Sequence, residues 1–255
     1  MSSRIEKEKQ FHNVTFSEHT RSATDRFYSI AQSSAKLYHE LIIEHGANRR
    51  VLEYGCGADS NAIHLARRGA RITGIDISEV AIEESKRVAE REGISDAEFF
   101  VMNAEELQFE PGTFDLICGS AILHHLVLDR AFAEVARSLK PGGVGVFLEP
   151  LGHNPAINLY RRLTPSMRTE DEHPLLMSDL ELARDFFGSV DVTFFHLTTL
   201  ASIPLTRMPF FPRVLGSLDL LDRVLFAAVP FSRRFAWSCV MVLGRPAVRG
   251  SRGGK

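Results

Sequence analysis

The stretch VLEYGCGAD, residues 51–59, decides the fold of this chain. Its first half is largely apolar and predicts a short buried strand, and Gly55 and Gly57 then allow a turn in which backbone comes close to another group. The next segment, residues 60–69, has apolar residues at helical spacing, with Ser60 as its N-cap and Gly69 as its stop. A strand, a glycine turn and a helix N-terminus together present backbone N–H groups, which indicates a site for an anionic or carboxylate-bearing cofactor.

A carboxylate follows the next predicted strand, Ala70 to Asp76. Asp76 lies 19 positions after Gly57, which is the spacing at which nucleotide-binding α/β units place an acid on ribose hydroxyls. A carboxylate can accept hydrogen bonds from both hydroxyls at once. Two kinds of cofactor therefore need to be compared, a dinucleotide and another ribose-containing molecule.

The residues around the glycine turn favour the second kind. A dinucleotide fingerprint would have a third glycine where this chain has Ser60, and Glu53 would repel a pyrophosphate. The pattern Glu53-x-Gly55-Cys56-Gly57 instead resembles the first motif of the class I S-adenosylmethionine-dependent methyltransferases. In that family the glycines pass under the methionine part of the cofactor and the acid interacts with its ammonium group. A nicotinamide-dependent oxidoreductase and a glycine turn without ligand remain as alternatives.

Further segments extend this resemblance from Arg50 to Pro150, including a Leu-Lys-Pro-Gly-Gly turn before the fifth strand. The family has an acid where this chain has Asn103, whose amide oxygen can still accept from an adenine amino group. Tyr28 lies where many members carry a cap over the cofactor, although core packing also explains an aromatic residue there. The resemblance assigns cofactor binding to Glu53, Gly55, Cys56, Gly57, Asp76, Ile77, Asn103, Ala104, Glu105, Cys118 and Tyr28.

Histidines supply the candidate catalytic groups. His124 and His125 follow the fourth strand, whose end lies beside the transferable methyl group in the family, and at most one of them is expected to face it. A histidine there could take the proton of an attacking hydroxyl, because its pKa lies near neutral pH. A purely structural pair is the alternative. His153, after the fifth strand, is a third candidate, and His173 is held in reserve, while His12 and His19 are expected on the surface.

The part of the chain beyond residue 150 is where substrate choice is expected. Residues 207–231 predict an amphipathic helix with Asp219, Asp222 and Arg223 on its polar side. This helix either closes the core or, together with Phe210 and Phe211, forms an apolar lid over the methyl-transfer pocket. The lid would favour an apolar or lipid-like acceptor. The Asn/Asp-Pro-Pro motif of enzymes that methylate nucleobase amino groups is missing after the fourth strand, which argues against such chemistry.

Composition sets the broad class. The chain has 255 residues, 44% hydrophobic and 24% charged residues and a formal net charge of -2, so we expect no nucleic-acid partner. Cys56, Cys118 and Cys239 have no metal-binding spacing and predict buried thiols in a reducing compartment. Residues 1–10 contain no apolar signal region, and no apolar run is long enough for a membrane span. A cytoplasmic protein without a metal is expected, as a monomer or homodimer, with weak contact to a lipid or membrane surface.

The expected architecture is α/β: a doubly wound, mostly parallel seven-stranded sheet, the Rossmann-like methyltransferase fold, with its last strand antiparallel. Four parts are predicted: an N-terminal helical cap (1–46), a cofactor-binding core (47–150), the rest of the sheet with helical insertions (151–245) and a disordered tail (246–255). The cap includes a helix over residues 20–44.

The expected reaction is methyl transfer to a small molecule, with an oxygen of an apolar or natural-product-like compound favoured. Transfer to carbon or nitrogen of a quinone-like or lipid-like acceptor is the alternative. A non-catalytic protein that binds S-adenosylmethionine is the second alternative.

Overall fold

A computed structural model describes residues 2–18, 29–58, 60, 62–164 and 172–246 of the chain. Within these residues the central feature is one seven-stranded sheet. Its strands are β1 (Arg50–Tyr54), β2 (Arg71–Asp76), β3 (Ala97–Val101), β4 (Phe114–Ser120), β5 (Leu139–Pro150), β6 (Phe187–Phe195) and β7 (Ser238–Pro246).

The strands run in the spatial order β3-β2-β1-β4-β5-β7-β6. The first five pair in parallel, whereas β7 pairs antiparallel with both β5 and β6. The predicted doubly wound fold and its antiparallel last strand are therefore confirmed. Because β1 lies at the point where the strand order reverses, the carboxyl ends of β1, β2 and β4 meet at one edge of the sheet.

Helices cover the sheet. The described helices are α1 (Ser2–Glu18), α2 (Gln32–Gly46), α3 (Ala62–Ala66), α4 (Glu79–Arg91), α5 (Leu128–Ser138), α6 (Pro155–Leu163), α7 (Met177–Leu182) and α8 (Phe211–Ala228). The start of α4 is as predicted, since the Ser78 hydroxyl accepts a hydrogen bond from the Ala81 N–H at 3.1 Å. Among the helices that the structure describes, none combines the length and apolarity that crossing a bilayer requires.

The core lies on both faces of the sheet, because successive residues of a strand point to opposite sides. On one face Leu52 and Tyr54 pack with Phe132 of α5. On the other face Val51 packs with Tyr38 of α2. Burial of both faces explains why β1 is buried at four of its five positions rather than at alternate ones.

Two elements differ from the sequence predictions. The cap predicted over residues 1–46 has a first helix, α1, besides the one predicted over residues 20–44, and that second helix begins at Gln32 in the described part of the chain. In α8, Asp222 is buried rather than solvent-facing. Its carboxylate accepts hydrogen bonds from the backbone N–H groups of Leu197 and Thr198 at 3.0 and 2.7 Å, which draws this side of the helix onto the protein.

The four-part division of the chain stays a prediction. Pro246, the first residue of the tail predicted over 246–255, ends β7, and residues 247–255 lie outside the described residues. Tyr28 and His19 lie outside them as well.

Candidate active site

A cavity of about 630 Å³ opens at the carboxyl ends of β1, β2 and β4. Residues from these strand ends form its floor, and side chains of α1 and α2 form the wall opposite. Its size is within the range of about 300–1,000 Å³ that is typical of small-molecule sites.

The glycine turn borders the floor of this cavity. Gly55 and Gly57 have φ angles of +71° and +56°, which residues other than glycine rarely adopt. A Cβ atom on Gly55 would lie 2.7 Å from the side chain of Ile122, so the close approach predicted from the sequence is made first to the protein itself. The Cys56 N–H donates to the Ile75 carbonyl at 2.8 Å, which fixes the turn to β2.

Asp76 shapes the same turn from the end of β2. One carboxylate oxygen accepts from the Gly57 N–H at 2.9 Å and the other from the Ser78 N–H at 2.8 Å. Asp76 lines the cavity together with its neighbour Ile77. Each carboxylate oxygen has a second lone pair, so both can still accept from hydroxyls of a ligand.

Glu53 and Tyr38 place polar groups deep in the cavity wall. Glu53 is buried at the end of β1 and accepts a hydrogen bond from the Ser60 hydroxyl. Tyr38 is a residue that sequence reasoning missed: its hydroxyl is buried in the wall and makes no hydrogen bond. Burial, with Cys118 and Glu53 as neighbours, raises the pKa of Tyr38, so the phenol stays protonated as a donor.

The segment after β3 forms the next part of the lining. The Asn103 side-chain oxygen accepts from the Glu105 N–H at 3.0 Å, and Asn103, Ala104 and Glu105 all line the cavity. The Asn103 oxygen keeps a second lone pair and its NH₂ group can donate, so both ends of the amide can serve a ligand. The carboxylate of Glu105 accepts from Arg4 of α1 and from the Val127 N–H, so it fastens α1 to the core.

The two adjacent histidines after β4 have different surroundings. His124 is buried, does not line the cavity, and has its Nδ1 atom 2.8 Å from a carboxylate oxygen of Glu149. The other oxygen of Glu149 accepts from the Ile122 and Leu123 N–H groups at 2.9 and 2.8 Å. His124 therefore does not reach this cavity, its ring braces the short 3₁₀ turn at Leu123–His125, and a catalytic role for it stays a prediction.

His125 does line the cavity. Its Nδ1 atom lies 3.4 Å from Glu8 of α1, and its ring centroid is 5.2 Å from that of His12. Burial lowers the pKa of His125, and Glu8 acts against this effect. The expectation of a surface position for His12 is wrong, because α1 brings it into the cavity wall.

Other predicted site residues lie away from the cavity. His153 accepts a hydrogen bond from the Met177 N–H at 3.3 Å, and His173 is exposed. Cys118 is fully buried beside Tyr38, and burial raises the pKa of its thiol. None of these three lines the cavity. No residue of 207–231 is among the lining of this cavity either, and the lid over the methyl-transfer pocket stays a prediction.

The residues present fit S-adenosylmethionine. A buried carboxylate at Glu53 suits an ammonium group, Asp76 suits ribose hydroxyls, and Tyr38 offers an uncommitted buried donor. A pyrophosphate would meet two carboxylates in the same place, which disfavours a dinucleotide.

Comparison with known proteins agrees with this chemistry. Residues 51–143 match a family model described as a methyltransferase domain. A ubiquinone biosynthesis O-methyltransferase of Acinetobacter baumannii (strain AYE) is 29% identical over 171 residues, covering 63% of this chain and 70% of that protein. A sterol 24-C-methyltransferase of Gibberella zeae is 33% identical over 123 residues, covering 47% of this chain and 32% of that protein.

A solved structure shares the fold. Phosphoethanolamine N-methyltransferase 2 of Haemonchus contortus, in complex with S-adenosyl-L-methionine, matches with a TM-score of 0.59 at 17% identity, over 83% of this chain and 53% of that one. These matches give residues 51–143 a methyltransferase domain and support a class I S-adenosylmethionine-dependent methyltransferase. Its cofactor is S-adenosylmethionine and its acceptor is a small molecule.

Proposed function

We propose that this enzyme transfers the methyl group to an oxygen of an apolar small molecule and that His125 takes up the acceptor's proton. The observation that carries the proposal is the position of His125, which lines the cavity after β4 while its Nδ1 atom faces Glu8. A hydroxyl becomes a good nucleophile when a base accepts its proton, and a neutral imidazole is suited to this task.

The surroundings of His125 favour the form that a base requires. Burial, the main influence, lowers the pKa of His125 below 6.5, so the ring is neutral at physiological pH. A neutral imidazole carries one proton, and Glu8 at 3.4 Å favours the tautomer with that proton on Nδ1. The lone pair of Nε2 is then left for the acceptor.

Bound S-adenosylmethionine supplies the methyl group, which leaves a cationic sulfur for the acceptor oxygen. His125 takes up the proton of the acceptor hydroxyl on Nε2 and later releases it to water. Much of the rate enhancement in such a displacement comes from holding the two reactants in line, which here is the task of the cavity walls.

The lining favours an apolar acceptor. Three of its apolar side chains lie in or just before the N-terminal helices: Ile5, Ala31 and Ala35. Three more lie after β4 or in β5: Ile122, Leu126 and Leu148. The name of the Acinetobacter relative also specifies transfer to oxygen on a path to ubiquinone, a lipid-soluble compound.

Roles of the cofactor-binding residues belong to the same proposal. We assign Glu53 to the ammonium group, Asp76 to the ribose hydroxyls and Asn103 to the adenine. Tyr38 joins them as a donor to the methionine end, because its buried hydroxyl lies near Glu53.

The test is an assay with labelled methyl donor against a panel of apolar phenols and alcohols, with the methylated atom located by NMR. The variant His125→Asn should lower turnover by about 10²- to 10⁴-fold, the usual contribution of a general base, while affinity for S-adenosylhomocysteine stays the same. The matched control is His173→Asn, which changes an exposed histidine outside the cavity and should keep full activity.

Two results would count against this proposal. Full activity of His125→Asn would remove His125 as the base. A product methylated at carbon would replace the oxygen acceptor with the carbon acceptor that the name of the sterol relative specifies.

Association with other molecules is a further part of the proposal. Apolar side chains on and just after α8 are exposed, with Leu220 at 63%, Val224 at 54% and Phe231 at 66%, and these support weak contact with a lipid surface. Co-sedimentation with phospholipid vesicles, lost in Leu220→Ser, would support that contact. A monomer or homodimer in the cytoplasm stays a prediction, to be checked by analytical ultracentrifugation and cell fractionation.

A further inference from the structure

Three side chains with metal-ligating atoms converge in the wall of the cavity. Glu8 and His12 lie one turn apart on α1, and His125 approaches them from the 3₁₀ turn after β4. A Glu8 oxygen lies 3.4 Å from His12 Nε2 and also 3.4 Å from His125 Nδ1. All three ligand atoms are within 4.8 Å of one another.

These distances are long for hydrogen bonds, whose N···O separation is about 2.7–3.2 Å. They match the edge of a tetrahedron instead: two ligand atoms at about 2.0–2.2 Å from a zinc ion are separated by roughly 3.3–3.6 Å. Nδ1 of His125 is buried and makes no hydrogen bond. The rings of His12 and His125 are inclined at 78°, so they meet at an angle rather than stack face to face.

We infer that Glu8, His12 and His125 form a binding site for a divalent transition-metal ion such as Zn²⁺. Two imidazole nitrogens and one carboxylate oxygen are a donor set that such ions accept, with a fourth position left open. That position faces the cavity, because all three residues line it. The guanidinium of Arg4, which also lines this wall, is paired with Glu105 and so opposes the ion less.

A second cluster, His124, His125 and Glu172, is the competing location. It is less suitable, because His124 Nδ1 is already bound to Glu149 and the Glu172 carboxylate is paired with Arg161 at 2.9 Å. A guanidinium next to the only carboxylate of a site opposes a second cation. Glu172 is therefore the matched control for Glu8.

The ion has a consequence for catalysis that rests on the proposed function of His125. A metal ion bound to Nδ1 leaves the single proton of the neutral ring on Nε2. Nε2 then has no lone pair with which to take up the proton of the substrate hydroxyl. The same ion joins α1 to the turn after β4. Occupancy of this site therefore inhibits methyl transfer.

The experiment is calorimetric titration of tag-free, chelator-treated enzyme with Zn²⁺, and a parallel titration with Co²⁺ followed by visible absorption. One ion should bind per chain, and Co²⁺ should give a tetrahedral spectrum. Glu8→Gln and His12→Asn should each weaken binding by at least about tenfold, whereas Glu172→Gln should bind as the wild type does. Lys9→Met serves as a control for loosening of α1, since it removes the exposed ion pair with Glu79 and no ligand; it should bind normally.

Absence of Zn²⁺ binding would overturn the inference. Loss of binding in Glu172→Gln with normal binding in Glu8→Gln would overturn it too, because the ion would then occupy the other cluster. Binding that depends on Glu8 and His12 supports the site whatever the activity shows. If this bound ion leaves methyl transfer unaffected, the site stands and His125 is rejected as the base, so the two failures are distinguishable.

Discussion

Asp76 is the residue whose replacement should affect cofactor binding most directly. It has a cavity-facing carboxylate and also holds the Gly57 and Ser78 N–H groups. Asp76→Ala should weaken binding of S-adenosylhomocysteine by about 1.5–3 kcal/mol, because charged hydrogen bonds to the ribose are lost and the glycine turn is no longer held. Calorimetric titration measures this change.

Asp76→Asn is the matched variant, because it keeps the shape and one acceptor oxygen. Its loss of affinity should be smaller than that of Asp76→Ala. Thermal denaturation of both variants shows whether the fold is intact. Unchanged affinity in the alanine variant would reject the assignment of Asp76 to the ribose.

Gly55 allows a second prediction at a single position. A Cβ there would meet the Ile122 side chain at 2.7 Å, and the φ of +71° is itself unfavourable for alanine. We expect Gly55→Ala to lower the free energy of unfolding by about 2–4 kcal/mol, one part from the backbone and one part from the clash. Urea denaturation is the measurement.

The two parts can be separated with Ile122→Ala in the Gly55→Ala background. This second change should recover the part due to the clash and leave the part due to φ. A double variant whose loss equals the sum of the two single losses would show that Ile122 is not what excludes a side chain at Gly55.

Single residues differ in how far sequence could place them. Asp76 and the glycine turn follow from local spacing, and the structure brings both to the cavity. His124 and His125 are neighbours in sequence, so only the turn that contains them decides which one reaches the cavity. Glu8, His12 and Tyr38 lie on helices whose docking no motif specifies.

Among the helices, α1 shows why some elements escape prediction. It is a polar helix without a regular apolar stripe, and polar pairs attach it to the rest of the protein: Arg4 with Glu105, Lys9 with Glu79 and Asn13 with Ser78. Asp222 of α8 was misplaced for the converse reason. Its charge predicted a solvent-facing position, but the backbone N–H groups of a turn donate to its carboxylate from the protein side.

A buried histidine directly after β6 makes stability depend on pH. His196 lies between Ser34 and Thr199, and burial lowers its pKa from 6.5 to about 4. The unfolded chain therefore binds the proton first as pH falls. Stability should be lost as pH drops from 6.5 toward 4, by about 3 kcal/mol in total, and this contribution is complete above pH 6.5.

His196→Asn tests this dependence, because asparagine does not titrate and tolerates the φ of +66°. Urea unfolding across this pH window gives the free energy of unfolding at each pH. Its dependence on pH should be weaker in the variant, by up to the uptake of one proton. His173→Asn, an exposed histidine, should keep the wild-type slope. An unchanged slope in His196→Asn would show that other groups cause the acid sensitivity.

For the whole molecule, the parallel sheet was the most predictable feature. Its apolar strands, glycine turn and acidic strand end recur with fixed spacing, and the reversal of strand order places the cavity where these motifs meet. The wall opposite the sheet was less predictable, because the N-terminal helices α1 and α2 build it and their positions depend on tertiary contacts. The wall formed by α1 therefore has no counterpart in the motifs.

This division between sheet and wall predicts two levels of stability. Amides of β1 and β4, in the centre of the sheet, should exchange hydrogen only on global unfolding, whereas α1, attached by polar contacts, should open locally and exchange faster. Because α1 lines the cavity, S-adenosylhomocysteine should slow its exchange. At a free ligand concentration of 100 times Kd the ligand can stabilise the closed form of α1 by at most about 2.7 kcal/mol, which would slow exchange by at most roughly 100-fold.

Hydrogen exchange followed by mass spectrometry measures both levels in one experiment. Arg4→Met should speed exchange in α1 and leave β1 and β4 as they are, because Arg4 binds Glu105 and the His125 carbonyl but contributes nothing to the sheet ladder. Arg223→Met, an exposed residue of α8, is the control and should alter neither region. If the ligand protects the sheet edge but leaves exchange in α1 unchanged, α1 does not pack against the bound cofactor.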